Sequence, residues 1–328
     1  MSAAADLATD REARPAGHSF WRLLIPQLRN LIFLLLTVTT LLFFLLRAAG
    51  DPAYLLAGAG ATPEQLAAIR IQYGLDRPLG AQYVSYLWNI AHLDFGRSLS
   101  SGQPALAKVF ERVPRTLQLS VSAIIVSLLL AAPIGGWLGF RPGGLARRVV
   151  SAIVFIFQGI PGFVMALLLV QLLAVNLRWV PSMGYSTTDW RTWVLPTLSL
   201  AAFLTPSLIR MIAANIAEIT GEDYIRTAKA YGARPREILW RHAMPNALLG
   251  ATALLGTQFT HLLGGSAIIE TIFSWPGLGW LLLESVQTLD FPVVQAEAFV
   301  IAILVFLVNI LTDFGFRLLD PRLRTRRT

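Results

Sequence analysis

Six long apolar runs divide this chain, at 30–49, 117–140, 149–176, 193–214, 247–269 and 293–316. A hydrocarbon layer about 30 Å thick is crossed by about 20 helical residues, and each run is close to that length or longer. The pattern predicts an all-α polytopic membrane protein with six transmembrane helices. The first run, LIFLLLTVTTLLFFLL followed by Arg47, is too long for the core of a cleaved signal and reads as an internal anchor. The Ala- and Arg-rich residues 1–29 before it are expected to be a mobile tail. Two polar stretches stand out between the runs: a long segment at 50–116 and a charged island at 221–246, GEDYIRTAKAYGARPREILWRHAMPN.

Both stretches carry helix punctuation. In the first, Thr62 can cap a helix that starts at Pro63, with Gln65 closing the capping box and Gly74 ending it. Leu66, Ile69 and Tyr73 then share a face of a short amphipathic helix at the outer membrane surface. In the island, Asp223 is expected to cap a helix over 224–231, and Gly232 to end it in a left-handed conformation. Pro235 starts a second helix and Pro245 is expected to stop it before the fifth span. This arrangement places Ile225, Ala228 and Tyr231 on one side. The small residues Thr227, Ala228 and Ala230 permit close approach of another backbone.

Composition narrows the class. Of 328 residues, 55% are hydrophobic and 14% charged, and the mean hydropathy of +0.59 is too high for a soluble globule of this length. The net charge of +8 is spread among the apolar runs instead of forming one stripe, which favours membrane topology over nucleic acid. With no Cys, disulfides and thiolate chemistry are excluded. Arg11, Arg14, Arg22 and Arg29, then Arg141, Arg147 and Arg148, the island's Arg226, Lys229, Arg234, Arg236 and Arg241, and the Arg-rich C-terminus fall on one side. The opposite short loops hold only Arg178 and Arg191. The positive-inside bias therefore predicts that both termini and the island are cytoplasmic, with 50–116 outside.

Candidate chemistry is sparse. The two lysines follow Ala107 and Ala228, so no Gly-Lys pair can form a phosphate-binding P-loop. The histidines His18, His92, His242 and His261 form no H-E-x-x-H, and no Ser sits in G-x-S-x-G, which argues against a membrane hydrolase. A secondary transporter or channel is the rival class. It predicts acidic relays or an inverted repeat, neither of which is visible, and it leaves the island unexplained. Within the spans, Arg210 can snorkel, pair structurally or face a pathway. Gln258 and His261, three apart, share a face that either lines a pathway or packs against a neighbour. Glu270 and Glu297 suggest an acidic outer rim, and Asp313 can pair with Arg317. Pro161, Gly162, Pro196 and Pro206 are expected to kink their spans.

The island also resembles a known loop. Its spacing of Arg226-Thr227-Ala228, three residues, Gly232, nine residues, His242, one residue, Met244-Pro245 is similar to the E-A-A-x3-G-x9-I-x-L-P loop of ABC importer permeases. Arg226, Thr227 and His242 depart from that pattern, and the Arg-Thr-Ala form resembles the dipeptide and oligopeptide branch. Gly50-Asp51-Pro52, Gly74-Leu75-Asp76-Arg77-Pro78, Asp94-Phe95-Gly96-Arg97-Ser98, Glu270 to Gly279, Asp290-Phe291-Pro292 and Asp320-Pro321-Arg322 extend the resemblance to the first permease of a peptide-importer pair.

The resemblance implies a type I ABC importer permease fold in a bacterial inner membrane, with a cytoplasmic coupling helix received by a separate ATP-hydrolysing subunit. Tyr224, Arg226, Thr227, Ala228, Tyr231, Gly232 and Pro245 would make that coupling surface. The implied partners are a second permease, two ATP-binding subunits or domains and an external solute-binding protein. ATP and Mg would sit on the partner and no cofactor or metal on this chain. The implied cargo is di- or oligopeptides, with nickel complexes and glutathione as alternatives.

Overall fold

The computed structural model describes residues 17–49, 52–57, 60–72, 74–141 and 143–319. Gly50, Asp51, Tyr73 and the C-terminal segment from Asp320 therefore lie outside the described residues. The described chain is helical, with only one isolated bridge, between Arg97 and Pro104.

Helix α1 (Gly17–Ala49) begins inside the expected tail, and its membrane-length part is Ile25–Ala48. Three short helices follow in the polar segment after α1: α2 (Pro52–Ala57), α3 (Pro63–Gln72) and α4 (Leu79–Ala91). The capping box at α3 forms as expected. The Gln65 backbone N–H donates to Thr62 Oγ1 at 3.3 Å, and the Thr62 N–H donates to Gln65 Oε1 at 2.9 Å. Leu66 is buried and Ile69 half-buried.

Helix α5 (Ala105–Phe140) starts earlier than the apolar run and carries Pro114 and Pro133. Helix α6 (Leu145–Gly159) and helix α7 (Gly162–Leu169), which continues as a π-helical segment over Val170–Asn176, occupy the expected third span. They do not form one straight rod, because the chain bends by 104° at Ile160–Pro161. Proline lacks the N–H that would bond back into α6, and its ring clashes with the preceding turn, so the helix stops and restarts in a new direction. By contrast, α8 (Arg191–Ile219) runs unbroken through Pro196 and Pro206, both buried against neighbours.

After the island come α11 (Met244–Gly265), α12 (Ala267–Ile272), α13 (Leu278–Gln287) and α14 (Phe291–Leu319). Four helices among the described residues are long and apolar enough to cross a membrane: Ile25–Ala48, α5, α8 and Phe291–Gly315. The bent α6–α7 pair makes a fifth if it is one span. The expected fifth run, 247–269, falls on α11, 22 residues long, passes a break at Ser266 and ends within α12.

The closest helix pair is α5 with α8. A Cβ placed on Gly139 would lie 2.4 Å from the Ala213 carbonyl oxygen, so only glycine lets these backbones approach this far. Leu138 and Ala131 of α5, Val154 of α6, Leu208, Ile212 and Ile216 of α8, and Met244 and Ala247 of α11 form one apolar core.

Candidate coupling and pathway sites

The island folds as helix α9 (Asp223–Ala230), a turn, and helix α10 (Pro235–Glu237). Asp223 is not the cap. Glu222 occupies that position in extended conformation without a side-chain cap bond, and Asp223, the first helical residue, pairs with Arg226 at 3.2 Å. An acidic residue inside the first turn still complements the positive end of the helix dipole.

The end of α9 is as expected. Gly232 has φ of +81°, and its N–H donates to the Lys229 carbonyl at 3.0 Å while the Ala233 N–H donates to the Ala228 carbonyl at 3.1 Å. This paired closure needs a residue that tolerates positive φ. Thr227 Oγ1 donates back to the Asp223 carbonyl at 3.0 Å.

Two further expectations about the island are corrected. Pro245 does not stop the second helix: α10 passes through a π-helical turn, Ile238–Ala243, directly into α11. The wide turn shifts the hydrogen-bond register, and Pro245 follows it as the second residue of α11. Nor do Ile225 and Tyr231 face the same way. Ile225 is 0% exposed and lies in the core shared by α5, α6, α8 and α11, whereas Tyr231, at the C-terminal end of α9, is 88% exposed. Ile225 thus anchors the island from below, leaving Arg226, Thr227, Lys229 and Tyr231 outward and Ala228 half-buried. A second tie joins its two halves, with Asn246 Nδ2 donating to the Tyr224 hydroxyl at 3.2 Å. Sequence reasoning passed over both Ile225 as an anchor and Asn246. The signal for Ile225 was an isolated large aliphatic residue within a charged helix.

The pathway candidates separate. Gln258 and His261 line one cavity of 390 Å³, together with Gly162 and Phe163 at the α6–α7 corner, Ser199 and Phe203 of α8, and Ile268 of α12. Arg210 lies elsewhere, exposed on α8, and donates to Gln158 Oε1 of α6 at 2.7 Å. Asp313 accepts from Gln27 Nε2 at 3.1 Å, while the side chain of its expected partner Arg317 lies outside the described residues.

Glu270 and Glu297 do not form a solvated rim, since both are 0% exposed. The Glu270 carboxyl accepts from Thr116 Oγ1 at 2.9 Å, Ser266 Oγ at 3.0 Å and the Trp280 N–H at 3.0 Å. It knits α5, α12 and α13 together and does not face a pathway. Neither Glu297 oxygen meets a hydrogen-bond partner among the described residues.

The segment between α1 and α5 is locked to the start of α14 through Asp290. Its carboxyl accepts from the Ser98 hydroxyl, from the Leu99 N–H at 3.0 Å and from the Ser100 hydroxyl at 2.9 Å, with Lys108 Nζ 4.0 Å away. Burial by itself pushes this carboxyl up. The hydrogen bonds from Ser98, Leu99 and Ser100 outweigh it and hold the group below the ordinary carboxylate range. Two motifs more than 190 positions apart, Asp94 to Ser98 and Asp290 to Pro292, are thus halves of one joint.

The chain is similar to known proteins. Residues 131–325 match the model for the binding-protein-dependent transport system inner membrane component, and residues 20–120 match the model for its N-terminal part. A candidate peptide transport system permease protein of Brucella abortus (strain 2308) is 36% identical over 309 residues, covering 92% of this chain and 98% of the relative. The glutathione transport system permease protein GsiC of Salmonella choleraesuis (strain SC-B67) is 34% identical over 301 residues, with the same coverage. Among solved structures, the MetNI methionine ABC transporter in an inward-facing form matches with a TM-score of 0.55 at 24% identity. The match covers 66% of this chain and 98% of that one, a likeness of fold. The chain belongs to the family of binding-protein-dependent transport system inner membrane components, the permease subunits of ABC importers.

Proposed function

We propose that this permease forms half of a translocation pathway for di- or oligopeptides across a bacterial inner membrane, with six spans and both termini in the cytoplasm. The observation that carries the reading is the island: a charged, exposed helix anchored through Ile225 in the core shared by four membrane-domain helices. A push on Tyr231, Arg226 or Lys229 from an ATP-hydrolysing partner would reach α5, α6, α8 and α11 together, because a close-packed core moves as a body. The absence of a Gly-Lys pair supports a separate ATP-hydrolysing subunit, where ATP and Mg would bind. A second permease would complete the pathway, and an external binding protein would deliver the solute to the outer segment joined at Asp290.

The names of the relatives, for peptide and for glutathione, support a cargo with peptide bonds. The test is uptake into proteoliposomes holding the permease pair, its ATP-hydrolysing subunits and its binding protein. Replacing residues 223–234 by a Gly/Ser linker should abolish ATP-driven peptide uptake, and persistence of that uptake would overturn the coupling role. Calorimetry of the binding protein against peptides and nickel complexes tests the cargo. Binding of nickel complexes without peptides rejects it.

A further inference from the structure

Resting on the peptide reading above, we infer that the 390 Å³ cavity at the α6–α7 corner is a subsite taking one uncharged, apolar or aromatic side chain of the passing peptide together with its peptide bond. Its walls are apolar: Phe163 from α7, Phe203 from α8 and Ile268 from α12, all exposed in this chain. The lining contains no carboxylate, lysine or arginine. A fixed charge at this point would hold one class of solute and repel another. A conducting path needs contacts strong enough to admit the solute and weak enough to release it.

The polar lining is Gln258 and His261 of α11 and Ser199 of α8, whose hydroxyl is already committed to the Leu195 carbonyl at 2.7 Å. Neither Gln258 nor His261 is engaged in a hydrogen bond with another described side chain, and both face the cavity. The Gln258 carboxamide carries a donor and an acceptor, as does a neutral imidazole, so together they can satisfy both groups of a peptide bond. Without such partners, a peptide bond moved out of water into this apolar corner would lose its hydrogen bonds uncompensated. The 104° bend at Ile160–Pro161 brings Gly162 and Phe163, at the start of α7, into the lining beside Phe203 and Ile268. The cavity lies toward the small end of the range for ligand sites, suited to a residue of peptide and not to a large solute.

The experiment compares ATP-driven uptake of Phe-Phe and Gly-Gly by the complete transporter in proteoliposomes, using the same binding protein throughout. The ratio between the two peptides then cancels differences in the amount of folded complex. Ile268→Trp fills the cavity and should lower the Phe-Phe to Gly-Gly ratio at least about tenfold, and Phe203→Ala, which removes an aromatic wall, should lower it in the same direction. Gln258→Leu should raise KM for both peptides, leaving the ratio within about twofold, since the peptide bond is common to both. Ratios unchanged in both Ile268→Trp and Phe203→Ala overturn the subsite while leaving peptide transport standing. If the unsubstituted complex takes up neither peptide, the cargo reading falls, and the subsite with it.

Discussion

Single residues carry the sharpest constraints. Gly277 is required by Glu270, since a Cβ at this position would lie 2.5 Å from the Glu270 carboxyl, which is already fixed by Thr116, Ser266 and Trp280. The carboxyl cannot retreat without losing those donors. Gly277→Ala should therefore destabilise the protein by about 1–3 kcal/mol, read as a lower melting temperature in detergent. Asp290 supplies a pH signature. Its folded carboxyl titrates below the ordinary value of 3.8, so the tie to Ser98–Ser100 is at full strength near neutral pH. It weakens as the pH falls past 3.8 and is gone below the folded value. Asp290→Asn should lower stability at pH 7 by about 2 kcal/mol, the scale of hydrogen bonds to a charged group, and flatten the acid limb of the unfolding curve. An acid limb identical to that of the unsubstituted protein would falsify this assignment.

Among elements, α9 divides its labour between a buried and an exposed side. Ile225→Ala removes a fully buried side chain and should cost about 2–5 kcal/mol, while Tyr231→Ala, at an 88% exposed position, should change stability by less than about 0.5 kcal/mol. Both should reduce coupled uptake, the first by loosening the island and the second by removing contact surface. Melting curves and uptake measured on the same preparations separate the two causes. Gly232 and Pro235 were legible as punctuation because capping is decided within five residues of chain. The run through Pro245 was not, since a π-helical turn has no residue signature comparable to a proline or a glycine. The third span shows the same division. Pro161 announced a kink, but a bend of 104° depends on what α7 packs against, namely α8 and α12.

For the whole molecule, orientation is the open physical quantity, and the chain suits its measurement because it contains no cysteine. A single Cys at Ser101, exposed in the segment between α1 and α5, should react with a membrane-impermeant maleimide added to intact spheroplasts. A single Cys at Lys229, exposed on α9, should react only in inverted vesicles. The reverse pattern would place the island outside and remove the coupling reading altogether.

The amino-acid sequence by itself determined the class of the protein, the position of its apolar runs, the Thr62–Gln65 capping box, the Gly232 turn and the break at Pro161. Each of these is a property of composition or of residues within one or two helical turns. Only the tertiary structure decided which polar groups are hidden. Glu270 and Glu297 look like an outer acidic rim in the sequence, yet both are buried, as is Asp290, and Glu270 and Asp290 are held by residues more than 150 positions away. Ile225 became an anchor and Gln258 and His261 parts of one cavity for the same reason. Whether a side chain meets water, lipid or a partner is set by helices distant in sequence that close over it, and no local pattern encodes that closure.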